Sequence, residues 1–389
     1  MLFLILVVAG LPAASAQGWD EFSNNLATDL APFLSLFGEQ VTKQYLSEST
    51  TYLDYFIFAM APMGILTALV SAIRVCGSLA LRAFIGRAQE GSGHAEAELC
   101  SSTSRDVCEL YHNGGITRVF GRPKILEVIS DPDRKPDGTE GIYTFSEYVH
   151  RSQKWKCRKR GGRDAEETAK PYQAFSPNLS LNIGIKKRDP AVFQAVAIAG
   201  VVLQFGVLAF ASVATYHLRW GRNGSVPEPY ACPLVVIGTL LVSGGMFLCA
   251  LLVGKDTDEQ VWDKEPGNAS SMHWVQPGGQ TVGDQTFDAF ACTDTSELAG
   301  GVPQYTISWK RDVPKFTEYV VWLAIGITVS GFILQFIGLR AVHAAVAVAQ
   351  LGSVMLMSLA RAFLPMQRLS PKANALADHQ QTIDGHELD

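Results

Sequence analysis

Charged side chains are scarce in this sequence. Asp, Glu, Lys and Arg make up 18% of its 389 residues, whereas an ordinary soluble domain carries about 25%. The shortage is uneven, because long apolar stretches hold almost no charge and other stretches are dense with it. This distribution is typical of a membrane protein and argues against one large soluble core.

Cysteines are also few and irregularly spaced. There are seven, an odd number, so the sequence does not look like the disulfide scaffold of a small secreted protein. His94, Cys100, Cys108 and His112 lie close in sequence but lack the tight paired spacing of zinc sites. Because no catalytic or cofactor motif stands out, we predict no cofactor, no metal and no enzymatic activity.

The N-terminus opens with an apolar run that is too short to cross a bilayer. It is followed by Ala14 and Ala16, which fit the small-residue rule for cleavage, so we predict a signal peptide over residues 1–16. The alternative is an uncleaved apolar tip. Residues 17–51 are acidic with an apolar stripe at helical spacing, which predicts an extracytoplasmic amphipathic segment that lies on the membrane or packs on its own protein.

Five apolar stretches follow, and a membrane span needs about 20 such residues. The sequence therefore predicts an α-helical integral membrane protein with about five transmembrane helices. Their expected positions are 52–73, 191–216, 231–253, 319–339 and 341–359. The fifth is the weakest, because it contains His343 and Gln350 and only Arg340 separates it from the fourth. The alternative for it is a surface helix.

Basic residues set the expected orientation. They cluster after the first and third stretches, before the second and fourth, and after the fifth. The positive-inside rule then places residues 74–190, 254–318 and the tail 360–389 in the cytosol, with 217–230 as a short outer loop. We expect a membrane of the secretory pathway, either plasma membrane or endomembrane, with the N-terminus outside and the C-terminus cytosolic.

The two long cytosolic loops contain strand-like runs bounded by turn residues. The first loop is basic on balance and the second is acidic, and opposite charge favours docking. We predict that together they form one small β-rich cytosolic domain. The runs begin at Gly115, Lys124, Leu179, His273, Gln285 and Tyr305.

One dense basic run lies in the first loop. Its charges fit anionic lipid headgroups, although a solvated linker is the alternative, and nucleic acid is not an expected partner. The residues are Lys154, Lys156, Arg158, Lys159 and Arg160.

Polar residues and glycosylation sequons give the remaining candidate positions. Gln204 and Gln335 fall near the middle of their stretches and are predicted to make interhelical polar contacts. Asn223 is the one sequon expected outside and thus a candidate for glycosylation. Asn178 and Asn268 are expected to carry no glycan, because they fall in the cytosolic loops.

Four stretches together resemble a family of uncharacterised multi-pass membrane proteins from filamentous fungi. They are Val107-Cys-Glu-Leu-Tyr-His-Asn-Gly-Gly-Ile, Ser176-Pro-Asn-Leu-Ser-Leu-Asn-Ile, Trp274-Val-Gln-Pro-Gly-Gly-Gln and Gly283-Asp-Gln-Thr-Phe-Asp. The resemblance implies a multi-pass architecture over nearly the whole chain. It implies no activity and no site residues.

The expected function follows from the positions of the charged and polar residues along the chain. No Asp, Glu, Lys or Arg is expected deep within a span, which argues against an ion pump or proton-coupled transporter. The leading hypothesis is a membrane-anchored scaffold or sensor, as a monomer or an oligomer, that binds a cytosolic protein partner through its loops. The alternative is a transporter or channel subunit formed by the helix bundle.

Overall fold

A computed structural model describes residues 38–47, 49, 51–91, 94–99, 107–112, 115–121, 124–132, 141–152, 154–159, 189–220, 226–255, 257–265, 267–293, 304–310 and 315–364. The chain divides into two compact units. The first is helical and combines the segments 1–89, 185–255 and 313–368. The second contains the strands and combines 90–184, 256–312 and 369–389. The predicted signal peptide lies outside the described residues.

In the part that the structure describes, the helical unit has four short helices followed by four long ones. The short helices are α1 (38–47), α2 (Tyr52–Met60), α3 (Ile65–Cys76) and α4 (Leu79–Phe84). The long helices are α7 (Pro190–Ser212, extended by a π-helical turn, Val213–His217), α8 (Ala231–Lys255), α9 (Lys315–Ala341) and α10 (Ala344–Phe363).

Four helices in the described part of the chain are long and apolar enough to cross a membrane. They are Pro190–His217, Ala231–Lys255, Phe316–Ala341 and Ala344–Phe363. The second to fifth predicted stretches thus form candidate spans. The fifth is a separate helix, because the chain breaks after Ala341 and the ring nitrogen Nδ1 of His343 caps α10 by accepting from the backbone N–H of Ala345 at 3.2 Å.

The predicted count of five differs from the structure, in which four helices of the described residues qualify. Residues 52–73 do not form one helix, because α2 ends at Met60 and α3 starts at Ile65. Pro62 lacks an N–H group and prevents the helix from continuing. Gly64 has a φ of 67°, in the left-handed region, where residues with a side chain are strained. The sequence Pro62-Met-Gly64 therefore makes a turn.

This turn makes α2 and α3 a hairpin whose two ends lie at the same end of the helical unit. Lys255, the last residue of α8, places its Nζ 5.2 Å from the ring centre of Tyr52 at the start of α2. Cys76, the last residue of α3, donates its Sγ–H to the carbonyl oxygen of Leu252 at 3.5 Å. With nine residues, α2 reaches only about 14 Å into the unit.

All the helix ends that lead into the two long loops and the tail lie at this end, which we call the Lys255 end. The opposite ends of α7, α8 and α10 meet in one apolar cluster, which fixes their directions. The cluster contains Ala211, Ala214, Ala231, Val235, Val342 and Val346. The hairpin brings the chain back to the end of the helical unit where it entered, whereas the prediction of one span over 52–73 placed its two ends at opposite ends.

The helices α8 and α9 form the tightest pair of the helical unit. They run antiparallel, with glycines at the points of closest approach. A Cβ added to Gly331 would lie 2.6 Å from the backbone nitrogen of Val242, and one added to Gly338 would lie 2.6 Å from that of Val235. Small residues let two helix backbones approach closely, which is the usual packing of helices in lipid.

The long helices expose large apolar side chains over much of their outer surface. Phe205 of α7 is 72% exposed and Trp322 of α9 is 53% exposed. Contiguous apolar surface of this kind is rare on soluble monomers. The same feature recurs at Ile198, Val201, Val202, Leu323, Phe332, Ile333, Phe336 and Ile337.

The strand-rich unit carries two short helices, α5 (His94–Leu99) and α6 (Phe145–Arg151). Its strands from the first loop are β1 (Val107–His112), β2 (Gly115–Phe120), β3 (Leu126–Asp131), β4 (Gly141–Thr144) and β5 (Trp155–Lys159). Those from the second loop are β6 (Thr257–Lys264), β7 (Ser271–Gln276), β8 (Gln280–Val282), β9 (Gln285–Phe287), β10 (Phe290–Thr293) and β11 (Gln304–Lys310). The strand-like run beginning at Leu179 lies outside the described residues.

Two of the sheets contain strands from both loops. One has the order β10-β7-β3-β4 and the other β11-β6-β5, all antiparallel. The remaining sheets are the hairpins β1-β2 and β8-β9. One apolar core is likewise shared, because Ile129, Phe145 and Trp155 of the first loop pack with Trp262, Met272 and Tyr305 of the second. Neither loop can form these sheets alone.

The close approach of α8 and α9 predicts a position-specific glycine requirement. Gly331→Ala should lower the free energy of unfolding by about 1–3 kcal/mol, because the added methyl group meets the α8 backbone. Gly326→Ala on the same helix is the matched control, since an added Cβ there has nothing within 4 Å and Ala favours helix. Thermal unfolding of the purified variants measures both, and equal stability would contradict the packing described.

Candidate functional site

The break between α2 and α3 leaves backbone carbonyl groups outside regular helix. In an apolar bundle each such group needs a hydrogen-bond partner. Three side chains from elsewhere in the sequence supply them. Gln204 of α7 donates to the carbonyl oxygen of Met60 at 2.8 Å, Arg361 of α10 donates to that of Ala61 at 3.0 Å, and Thr42 of α1 donates to that of Met63 at 3.0 Å. We call these groups together the hairpin-tip site.

Gln204 also connects the tip to α10. Its Oε1 accepts a hydrogen bond from Nε2 of Gln350 at 3.4 Å. Both side chains are buried, at 6% and 5% exposed. The Gln204 amide donates to the end of α2 and accepts from α10, so it links α2, α7 and α10 around the break.

Arg361 is the most unusual residue of the helical unit. It is fully buried, with 0% exposed surface, although it lies two residues before the end of α10. Its guanidinium carbon lies 4.5 Å from the ring centre of Tyr45 and 4.6 Å from that of Phe58. Its Nη1 makes the hydrogen bond to Ala61, while Nε and Nη2 have no hydrogen-bond partner among the described residues.

The contacts of Arg361 offset the cost of burying its charge but use few of its donors. Transfer of an ion into a protein interior costs several kcal/mol even after relaxation. Two desolvated aromatic rings return about 2 kcal/mol or more each, and one hydrogen bond from a charged donor adds about 1.5–3 kcal/mol. No carboxylate in the described part of the chain forms an ion pair with it. The site therefore holds a positive charge with unused donors.

This arrangement corrects the expectation that no ionisable group reaches deep into the helices. The predicted fifth span stopped at 359, which left Arg361 in the tail. In the structure α10 continues to Phe363, and the long side chain of Arg361 reaches back along the helix to the hairpin tip. The sequence contained a signal for this extension. Helical spacing places Gln350, Ser353, Met357 and Arg361 on one face of a helix that continues to Arg361.

The other predicted membrane glutamine joins the tight helix pair. Nε2 of Gln335 on α9 donates to Oγ1 of Thr239 on α8 at 3.0 Å, and both residues are buried. Asn223, the predicted glycosylation position, lies outside the described residues. Asn268 is buried, at 6% exposed, and its side chain donates to the carbonyl of Lys154 and accepts from the N–H of Ser270. The absence of a glycan there stays a prediction.

The predicted lipid-binding run forms a strand. Residues 155–159 are β5, which pairs with β6 of the second loop. Lys154 forms an ion pair with Asp131 at 3.1 Å, and Lys156 forms one with Glu265. These two lysines would have to leave acidic partners in order to bind headgroups. The side chains of Arg158 and Lys159, and the whole of Arg160, lie outside the part that the structure describes.

Buried polar groups in the strand-rich unit serve its packing. The hydroxyl of Tyr148 donates to Asp131 at 2.7 Å, and burial together with this carboxylate raises the pKa of Tyr148 above its ordinary value. The buried amide of Gln276 bonds to both the N–H and the carbonyl of Tyr111, at 2.8 and 2.9 Å. The first contact joins α6 to β3, and the second joins β1 to β7.

These features define a class of protein: four long apolar helices, a broken helical hairpin among them, and a strand-rich unit assembled from two loops. No protein family, no curated protein and no solved structure matches this chain. The resemblance to fungal membrane proteins therefore stays a prediction.

The hydrogen bond from Gln204 to the hairpin tip predicts a specific loss of stability. Gln204→Leu keeps the side-chain volume but leaves the carbonyl of Met60 buried without its donor, which should cost about 1–3 kcal/mol of unfolding free energy. Gln194→Leu is the matched control, because Gln194 is exposed on the same helix. Thermal unfolding compares them, and a Gln204 variant as stable as the control would rule out this role.

Proposed function

We propose that the chain is a membrane-embedded scaffold or sensor whose strand-rich unit binds a protein partner in the cytosol. The observation that carries this proposal is the assembly of that unit from two loops. The helices α7 and α8 intervene between the loops in the sequence. A unit built in this way can fold only after the helices have brought its two halves together.

The chain connections support a sensing role. Helix α8 ends at Lys255 and strand β6 begins at Thr257, while strand β11 ends at Lys310 and α9 begins at Lys315. The strands β6 and β11 pair with each other, as do the helices α8 and α9. The paired helices are therefore joined in sequence to the paired strands by links of one and four residues, which is the arrangement that a sensing role would use.

The helix ends support the cytosolic assignment. Both long loops and the tail leave the helical unit at the Lys255 end, and the sequence next to these helix ends is rich in Lys and Arg. Positive charge favours the cytosolic side. Under this orientation the hairpin re-enters from the cytosolic side.

The scaffold proposal can be tested by unfolding the strand-rich unit alone. Phe145 is fully buried, and its ring centre lies 4.9 Å from that of Tyr305 and 5.5 Å from that of Trp155. Phe145→Ala should cost about 3–5 kcal/mol and abolish partner binding. Ile142→Ala is the matched control, because Ile142 is 77% exposed. Cross-linking in intact cells followed by quantitative mass spectrometry measures the partners.

We expect a reproducible cytosolic partner that binds both the wild type and Ile142→Ala. Phe145→Ala should lose this partner when equal amounts of membrane-inserted protein are compared. Partners that remain on Phe145→Ala, or the absence of any reproducible partner, would contradict it.

A transporter or channel subunit is the second candidate, and the hairpin tip is the observation that favours it. Non-helical backbone at membrane depth occurs where protein or a water-filled cavity surrounds it, as in selectivity filters and the broken helices of transporters. If this function holds, purified protein in sealed vesicles should carry a solute flux that Gln204→Leu abolishes and Gln194→Leu leaves unchanged. Equal flux from all three proteins and from empty vesicles would remove this candidate.

A further inference from the structure

We propose that Arg361 is the centre of a binding site for an oxyanion, a carboxylate or a phosphate group, at the hairpin tip. The two guanidinium nitrogens without partners in the described chain are Nε and Nη2. These two nitrogens lie on the same edge of the guanidinium plane. Their N–H groups form the fork that binds two oxygens of one carboxylate or phosphate.

The contacts of Arg361 leave Nε and Nη2 on that edge buried and without a hydrogen-bond partner among the described residues. Nη1 is bound to the carbonyl of Ala61, and the rings of Tyr45 and Phe58 hold the guanidinium by cation–π contact. These contacts position the group without using the fork. Because a buried charge is normally paired or fully hydrogen-bonded, the unused fork of a side chain with 0% exposed surface points to a missing partner.

A hydroxyl group on the same helix extends the site. Ser358 lies three residues before Arg361 and is therefore its neighbour on the helix surface. Its Oγ is buried without a hydrogen-bond partner among the described residues. Ser212 and Thr328, in contrast, donate to the carbonyl four residues earlier, as hydroxyls in helices usually do. The guanidinium fork can only donate, and the hydroxyl of Ser358 can donate beside it, so the fork selects an anion.

The oxyanion has two sources, a soluble anion and the headgroup of a lipid. Arg361 lies near the Lys255 end of α10, where a headgroup would also be placed. Both sources would present the same chemical group to Arg361, two coplanar oxygens that carry negative charge. This inference does not depend on the scaffold proposal, because it concerns the helical unit and needs no protein partner.

The test uses the full chain in maltoside micelles, which contain no phosphate or carboxylate. Thermal unfolding is followed by a thiol-reactive fluorophore, since Cys76, Cys232 and Cys249 are buried thiols outside any disulfide that react when the helices open. Sodium phosphate and sodium acetate are titrated against sodium chloride at equal ionic strength. In a second arm, phosphatidate is compared with diacylglycerol, which differs from it only by the phosphate group.

We expect a saturable rise of the wild-type Tm with phosphate or acetate but not with chloride. Arg361→Lys keeps the charge but loses the fork, so it should weaken half-saturation by about tenfold or more. Arg361→Met replaces it if the lysine variant does not fold. Arg340→Lys is the matched control, because Arg340 also lies over an aromatic ring, that of Phe336, but at the opposite end of the unit.

Two outcomes support the site and identify the source. A response to the soluble salts that Arg361→Lys weakens and Arg340→Lys retains identifies a soluble anion. A response to phosphatidate but not to the soluble salts identifies a lipid headgroup, provided that Arg361→Lys weakens it and Arg340→Lys retains it. No saturable response of the wild type to any of these probes, or an equal response in the Arg361 variants, overturns the proposal.

Discussion

The pairing of backbone carbonyl groups at the hairpin tip is the constraint on which the helical unit depends. A helix that ends inside an apolar bundle exposes carbonyls that water cannot reach, and each costs free energy until a donor is supplied. Here Gln204, Arg361 and Thr42 supply the donors from three different helices. The tip thereby fixes the positions of α1, α7 and α10 relative to the hairpin.

The same constraint explains why a charged residue can lie in this interior. A buried arginine is costly, but it gives five N–H donors in one plane, and one of them satisfies the carbonyl of Ala61. The aromatic rings of Tyr45 and Phe58 add attraction without adding a competing charge. The hydrogen bond and the ring contacts thus offset part of the cost of burying the charge. The nitrogens Nε and Nη2 have no partner among the described residues.

Much of the architecture could be predicted from residue patterns, and the failures have physical causes. Long apolar stretches predict helices, because apolarity over about 20 residues is a strong signal. The stretch 52–73 is equally apolar, but Pro62 and Gly64 break the helix there. A count of apolar residues does not detect such helix-breaking residues.

The strands were predicted only in part. The runs at Gly115, His273 and Tyr305 predicted strands, whereas β5 and β6 are rich in charged residues that hide the alternating pattern. The tip contacts join residues 144 and 300 positions apart, and no local pattern reveals such pairs.

Residues 52–76 enter and leave the helical unit at one end, and cysteine labelling tests this directly. The single substitutions Thr50→Cys and Ser78→Cys, introduced into a chain in which Cys76 and the other native cysteines are replaced by alanine, bracket the hairpin. Both are labelled with a membrane-impermeant maleimide on sealed vesicles of known orientation. We expect both thiols to react from the same side, the side on which Lys255→Cys also reacts. Labelling of the two positions from opposite sides would show that the segment crosses the membrane and does not form a hairpin.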